Sequence, residues 1–541
     1  MGIIMYEHLL TQTGNKSQSC YVKLSRVQST TGMLCRIELW LELLNSTTIK
    51  RLAVLLLFIS YVIATLASVD NTGHDYNTAS VGTPSVGVAQ DEAGIFYPKN
   101  IAEIKKIVSL AQQEKKKIYL VGSGLTQSFT RAKELGFMLI NLKGLNKIVI
   151  DAKAKTAQVF GNVTFQEVEQ QANAYALATK VRPTANIFVV LASISTNVHG
   201  WDHKNGCIGS TIQTIHALDS TGQELVLPKG SAQFKECVGS FGSIYMLYGA
   251  VIELTDNLLL AKVATTYPRL EEALDEFPKQ TDNVEMALIN VCRHKYYLVR
   301  FMPASKGAKV SNRSKKIVQI LPFIEKVLID LARLIEWTGL RSYVERLYEK
   351  AVTFNWIKSR QHLRNEFMNV NLNATKKPFK GMLHRHAFGR AEYLVKQENL
   401  DALVTLIKKE YERLFLLSAT IRFVKADTNS YCPYANADMY ALEICWEQRE
   451  GEAPALESRM RNTRILEFLT KHDGRFNPAY PSDPEDIVDF YPPLAHMIYE
   501  RNSIFSSPIA EAIKKLVHAR MSSSSTPGNP ASTKRQPNQP R

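Results

Sequence analysis

Little in this 541-residue chain is repeated, clustered or uniformly apolar. The seven cysteines (Cys20, Cys35, Cys207, Cys237, Cys292, Cys432, Cys445) are scattered, odd in number and without a C-x-x-C pair. That spacing argues against a zinc site or a dense disulfide framework, and no metal is expected. A single bridge stays open if the chain is exported. Acidic residues are outnumbered, 51 against 66 Lys+Arg, for a net charge of +15. The excess favours anionic partners, yet no finger spacing or RNA-binding signature accompanies it, so nucleic acid is not an expected partner. Long hydrophobic runs are missing except for residues 52–67, which excludes a multi-span membrane protein. Internal repeats are absent too. With 45% hydrophobic and 22% charged residues the composition is that of a globular chain, and the length predicts two to four domains.

The one apolar run, LAVLLLFISYVIATLA, follows Lys50-Arg51 and a 51-residue N-terminal extension. A basic flank before such a run reads as a signal core or a short membrane anchor, placing the protein at a membrane or exporting it; a start at Met33 would shorten the leader. The bland alternative is a buried core helix. Residues 68–88 read as a linker and 521–541, rich in Ser and Pro, as a disordered tail. From Tyr97 onward strands alternate with amphipathic helices. Ile101, Ile104, Val108 and Ala111 have helical spacing, KIYLV, FMLIN, KIVID and AQVF read as strands, and FQEVEQQANAYAL reads as a helix. Short strands continue to about Leu254, and longer helices follow beyond residue 258, LPFIEKVLIDLARLIEW the most apolar of them. The pattern predicts an α+β architecture.

Gly122-Ser123-Gly124 directly follows the KIYLV strand. A G-x-G in that place opens a dinucleotide fingerprint, but the third glycine is missing and no amphipathic helix starts there, so the Rossmann reading fails its context. Alone, the turn is only a tight turn. Three later segments give it company: Ala192 to Gly200 (ASISTNVHG), IGSTIQTIHALDSTGQEL, and CVGSFGSIYMLYGAVIEL. In this order, over residues 89–257, they resemble the FAD-binding domain of the vanillyl-alcohol oxidase type, the PCMH fold. The aldonolactone oxidases and the decaprenylphosphoryl-ribose oxidase branch are the nearest likenesses. The first motif matches at Gly122, Gly124, Leu125, Thr126 and Ser128, the second at Ser193, Ile194, Ser195, Thr196, His199 and Gly200, and the third at Val238, Gly239 and Gly242. The resemblance implies FAD extended between two α+β subdomains, its diphosphate on the amides of 122–126, with 192–200 and 245–247, Leu247 included, lining the rest. Ser123 and Thr196 hydroxyls would add donors to those amides. Leu125 stands where tethered relatives have histidine and has no nucleophilic atom, which predicts non-covalent flavin. The chain departs from the pattern at Ala192, Ser240 and Tyr245, which stand in glycine positions; Tyr245 must point away from the flavin or narrow its site.

Residues 258–505 resemble the family's substrate (cap) domain more faintly. IRFVKADTNSYCPY matches an E-x-R…A-D segment at Arg422, Ala426, Asp427 and Pro433, with Thr420 in place of the acid. DGRFNPAYPSD matches a G-R-x-x-x-A-K segment at Gly474, Arg475 and Ala479, with Tyr480 in place of the lysine. The resemblance implies oxidation of a secondary alcohol on a sugar-derived substrate, an aldonolactone or a lipid-linked sugar such as a polyprenyl-phosphoribose. Arg422 would orient substrate or balance the reduced flavin's charge, and Tyr480 would donate a hydrogen bond to the substrate oxygen. A phenol with an ordinary pKa near 10 is a poor base, so His384, His386 and His472 are alternatives, each more simply read as a surface histidine. With acid and lysine both replaced, the competing reading is a degenerate, non-catalytic flavin fold acting as a binding module. The run Arg293–Lys316, with eight Lys and Arg and no acid, reads as a solvated basic face or as a lipid-surface contact.

Overall fold

The computed structural model describes residues 87–122, 128–310 apart from 280, 346, 349, 360–368, 387–448 apart from 413 and 415, and 452–524 apart from 481. Except for 346 and 349, these belong to one compact unit formed by 74–322, 352–380 and 384–541. Helix α1 (Ile101–Gln113) begins where the Asn100 side chain accepts from the Glu103 amide, satisfying one of the orphan donors of the first turn. Its stripe of Ile104, Ile107, Val108 and Ala111 is fully buried, each large side chain contributing about 1.5–3 kcal/mol. Around it β1 (Ile95–Phe96), β2 (Ile118–Leu120) and β3 (Met138–Ile140) pair in parallel in the order β1-β3-β2.

A second, antiparallel sheet runs β4 (Lys147–Asp151), β5 (Thr156–Phe160), β9 (Met246–Asp256), β7 (Ile212–Leu218), β8 (Glu224–Pro228), with β6 (Leu177–Thr179) also on β9. The strands expected at FMLIN, KIVID and AQVF are β3, β4 and β5. The helix expected over FQEVEQQANAYAL stops early: α2 (Phe165–Ala172), opened by a Thr164–Glu167 capping box, gives way to a tight turn with Ala176 left-handed, and Leu177 starts β6. Helix propensity there loses to pairing with β9. The third sheet orders β13 (Arg360–Leu363), β10 (Leu259–Tyr267), β12 (Tyr296–Pro303), β11 (Met286–Val291), β15 (Leu416–Val424), β16 (Met439–Gln448), β14 (Ala387–Val395) and β17 (Arg475–Phe476). Longer helices do follow residue 258, among them α3 (Gln397–Glu410) and α4 (Glu452–Lys471). LPFIEKVLIDLARLIEW lies outside the described residues.

One buried cluster extends from Ala157 on β5 to Ile513, so residues 89–257 and 258–505 share a core. The chain end returns to the first sheet: the Ile118 amide donates to Ile504 O and Ser506 N to Ile118 O, both at 2.9 Å. Helix α5 (Pro508–Ser524) then runs four residues into the stretch expected as tail; the remainder of that stretch is not among the described residues.

The expectation that residues 52–67 anchor or export the protein is corrected. Among the described residues no helix is long and apolar enough to cross a membrane, and 52–67, with the extension and most of the linker, lie outside those residues. Of the basic run, Arg293, His294 and Lys295 are the exposed turn between β11 and β12, while Arg300 donates to Thr265 Oγ1 at 2.9 Å. Residues 311–316 are outside the described set.

Candidate functional site

Ser123, Gly124, Leu125 and Thr126 lie outside the described residues, but Gly122 does not. A Cβ built on Gly122 would sit 3.4 Å from Ala192 Cβ, so the turn after β2 runs beside the second motif, where Ala192 is exposed. That motif is a short helix, Val190–Ser195, followed by Asn197 in the left-handed region (φ 49°). Ser193 is buried and its hydroxyl donates to Val189 O; the Thr196 hydroxyl donates to Ala192 O at 3.1 Å. The third motif closes on the second from the far side: Gly239 N donates to Ile194 O (3.1 Å) and Phe241 N to Ser195 O (2.8 Å). Gly239, Phe241 and Gly242 all have positive φ, so two of the three are glycine for steric reasons. Ser240, in a glycine position, turns its hydroxyl back to Cys237 O. Tyr245 is turned away as well, donating to Glu236 Oε2 at 2.8 Å, and Glu236 also pairs with Arg501. Leu247 packs its side chain in the core. Three separated segments thus form one backbone-lined cradle, and among the described residues the Ala192 methyl is what a Cβ at Gly122 would meet.

The cradle reaches the third sheet through His199 and Gly200, both buried. His199 Nε2 lies 2.9 Å from Glu392 Oε2 on β14, and its Nδ1 lies 3.3 Å from Gly200 O. Asn197 Nδ2 donates to Asp427 Oδ2 (2.7 Å), and the Tyr434 hydroxyl donates to Asn197 O. The matching Asp427 is therefore a clamp on the second motif.

On the third sheet, strand alternation separates two faces. Ala419, Ile421, Leu442 and Ile444 join the core, while Thr420, Arg422 and Glu443 point the other way. Register then builds a row: Asn290 faces Thr420, Thr420 faces Glu443, and Glu443 faces Glu392. Glu443 Oε2 accepts from Arg422 and lies 3.3 Å from Thr420 Oγ1, and its Oε1 accepts from the Tyr480 hydroxyl at 3.2 Å. Glu392 Oε2 also accepts from Asn477 Nδ2 (2.7 Å), and its Oε1 lies 3.8 Å from Arg422 Nη1. Burial opposes the Glu392 charge, but His199, Arg422 and Asn477 overcome it and hold the carboxyl down at about 2. Glu443 is likewise lowered against burial by Arg422 and Arg390. Burial alone would lower Arg422, yet Glu443 and Glu392 raise it. Burial first, then Glu443, pushes the Tyr480 phenol well above its ordinary value. Two buried polar atoms here have no hydrogen-bond partner among the described residues, Glu392 Oε1 and Arg422 Nε; one is an acceptor and the other a donor.

Arg422 and Tyr480 are thus brought together, and with His199 of the cradle. The Tyr480 hydroxyl proton is engaged by Glu443, so donation to a substrate competes with that bond. His472 packs its ring on Phe468, with centroids 4.4 Å apart; His384 and His386 are outside the described residues. Gly474 is required because a Cβ would come within 3.0 Å of Leu394 O. The sequence reading missed Arg390, Glu392, Glu443 and Asn477. The available signal was a lone charge inside otherwise apolar strand runs, AFGRAEYLV and MYALEICWEQ.

The backbone-lined cradle thus lies beside a buried row of acids, an arginine and a phenol. Residues 93–227 match the family described as FAD binding domain, so the chain carries an FAD binding domain of the PCMH type, with FAD its cofactor. Among curated proteins, the chain is similar to L-gulonolactone oxidase of Bos taurus, 22% identical over 184 residues, 33% of this chain and 41% of that protein. It is also similar to a putative D-arabinono-1,4-lactone oxidase of Neurospora crassa, 24% identical over 131 residues, 24% of this chain and 23% of that protein. Alditol oxidase of a Streptomyces species is 26% identical over 109 residues, 20% of this chain and 25% of that protein. The matched region spans less than half the length of each of these relatives.

Proposed function

We propose that the protein is an FAD-linked oxidoreductase that oxidises a secondary alcohol of a small sugar-derived substrate, an aldonolactone or alditol. Residues 89–257 form the FAD-binding part, in two α+β subdomains flanking the cofactor, and 258–505 form the cap that presents the substrate. Gly122 to Thr126, Ser193, Thr196, His199, Gly200 and the strand at Leu247 hold the flavin, non-covalently because Leu125 offers no nucleophile. The flavin supplies the hydride acceptor, and the electrons go on to oxygen or another acceptor. The protein's own groups bind and orient the alcohol and take its proton. The carrying observation is the unpartnered pair of Glu392 Oε1 and Arg422 Nε, buried where the cradle's His199 meets the cap sheet. Two hydroxyls of such a substrate would serve them, the reacting one accepting from Arg422 Nε and a neighbouring one donating to Glu392 Oε1, and both atoms would otherwise be costly to bury. Similarity to gulonolactone, arabinonolactone and alditol oxidases supports the substrate class.

The test is anaerobic mixing of the flavin-loaded protein with a panel of aldonolactones, alditols and a polyprenyl-phosphoribose. Bleaching of the visible flavin bands by a lactone or alditol is the expected result. Bleaching by the lipid-linked sugar alone would move the substrate class, and bound flavin that no member bleaches would favour a non-catalytic fold. Acid precipitation should leave all yellow colour in the supernatant; colour on the pellet would contradict the non-covalent reading.

A further inference from the structure

The proposed alcohol oxidation leaves open where the hydroxyl proton goes. Tyr480 is half-buried, while Glu443 is almost covered. A phenol has one proton, and Tyr480 gives its proton to Glu443 Oε1. Towards a bound alcohol it therefore presents lone pairs, and the alcohol must be the donor. The other carboxylate oxygen, Glu443 Oε2, is fixed by Arg422 and Thr420. Oε1 is thereby aimed at the phenol. The sequence has threonine at 420 where an acid was expected, and Glu443 is its direct cross-strand partner. The carboxylate sits one strand over.

We propose that Glu443 is the terminal proton acceptor of the site, a positioning residue that acts through Tyr480. The alcohol O–H breaks and its proton passes to Tyr480 Oη as the Tyr480 O–H breaks and its proton passes to Glu443 Oε1. A bound oxidised flavin would supply the oxidant, taking the carbinol hydrogen with its electron pair as the C=O bond forms. No free tyrosinate arises, which is how a phenol with so high a pKa can serve. The charged groups around Glu443 are Arg422 on β15, Arg390 and Glu392 on β14, and His199 beyond Glu392; Cys445 follows on its own strand. The inference rests on the alcohol-oxidation reading, and its test separates the two.

Flavin reduction is followed under anaerobic conditions across pH in the full chain and in Glu443→Gln, Tyr480→Phe and the double variant. Each single change should slow reduction about a hundredfold or more, the scale of one lost proton acceptor, with little change in the substrate concentration giving half-maximal rate. The double variant should be no slower than either single one, because the two groups work as a unit. Multiplying losses, or parent-like rates, would overturn the relay. Should Glu443→Gln not fold, Thr420→Glu combined with Glu443→Thr keeps a carboxylate in the row beside Arg422 but moves it off Tyr480. This pair should fold and reduce flavin as slowly as Tyr480→Phe; parent-like reduction would overturn the proposal. A readout independent of activity is the alkaline tyrosinate absorbance assigned by difference from Tyr480→Phe. The Tyr480 transition should move to lower pH once the Glu443 charge is gone, and an unmoved transition counts against the contact even if no alcohol reduces the flavin. If the panel reduces nothing while that transition moves, the alcohol reading fails and the Glu443–Tyr480 pair stands.

Discussion

The cradle and the cap row bind by opposite means. Around Gly122, Asn197 and Gly239 the groups that matter are backbone groups and small side chains, and the local sequence states much of this: glycine at 239 and 242 where φ is positive, alanine at 192 where the turn at Gly122 approaches. In the row from Asn290 to Glu392 the groups are polar and charged side chains from four strands, and what brings them together is register. One region is written along the chain, the other across it. The contrast teaches why the first tolerates substitution of Gly by Ser at 240, whose hydroxyl folds back on Cys237 O, while in the second every charge leans on its neighbours.

That contrast can be broken at its most interdependent point. Arg422→Met leaves Glu392 and Glu443 buried and facing each other without the cation between them. Removing one partner of a buried ion pair costs about 3–5 kcal/mol, and urea denaturation should show a loss of that size. A smaller effect comes from pH. The Glu392 carboxyl lies at about 2 in the folded protein against an ordinary 4.5. A depressed carboxyl contributes stability that is complete above 4.5 and is lost as pH falls towards 2. At ~1.4 kcal/mol per unit this is about 3 kcal/mol, so acid unfolding of Glu392→Gln should be flatter through that window; an unchanged slope would remove Glu392 from the account.

The cradle should respond through geometry instead. Gly239→Ala places a side chain at φ 71°, a strain of about 1–2 kcal/mol, and FAD titration should show weaker uptake with the row's acid response intact. The smallest effect is expected from Tyr245→Phe. It deletes one hydrogen bond to Glu236, which keeps Arg501, so about 1 kcal/mol should be lost in thermal unfolding, and the visible spectrum should not move. A moved spectrum would put Tyr245 against the flavin after all.

What was legible in the sequence follows the same divide. Strands β2 to β5 and the amphipathic α1 were read from their apolar patterns, and the cofactor class from four segments in order. Arg422 and Tyr480 were singled out because they sit in short motifs. Glu443 and Glu392 were not, since a single acid in an apolar run says nothing about which strand it will face. Only the pairing of β15, β16 and β14 places one opposite the other. The helix expected through Leu177 failed for the same reason, a distant strand overriding local propensity. The leader at 52–67 was read from hydropathy alone, which carries no tertiary information.

Cradle and row are proposed to form one site, with the cap's charges against the flavin. The flavin reduction potential tests it most directly, because the reduced ring carries the greater negative charge. Glu443→Gln removes a nearby negative group and should raise the potential, whereas Arg422→Gln removes a positive one and should lower it. About 30 mV corresponds to ~1.4 kcal/mol for a two-electron couple, and shifts of that order, opposite in sign, are predicted. Potentials unchanged in both variants, with FAD bound, would separate the row from the cofactor and contradict the claim.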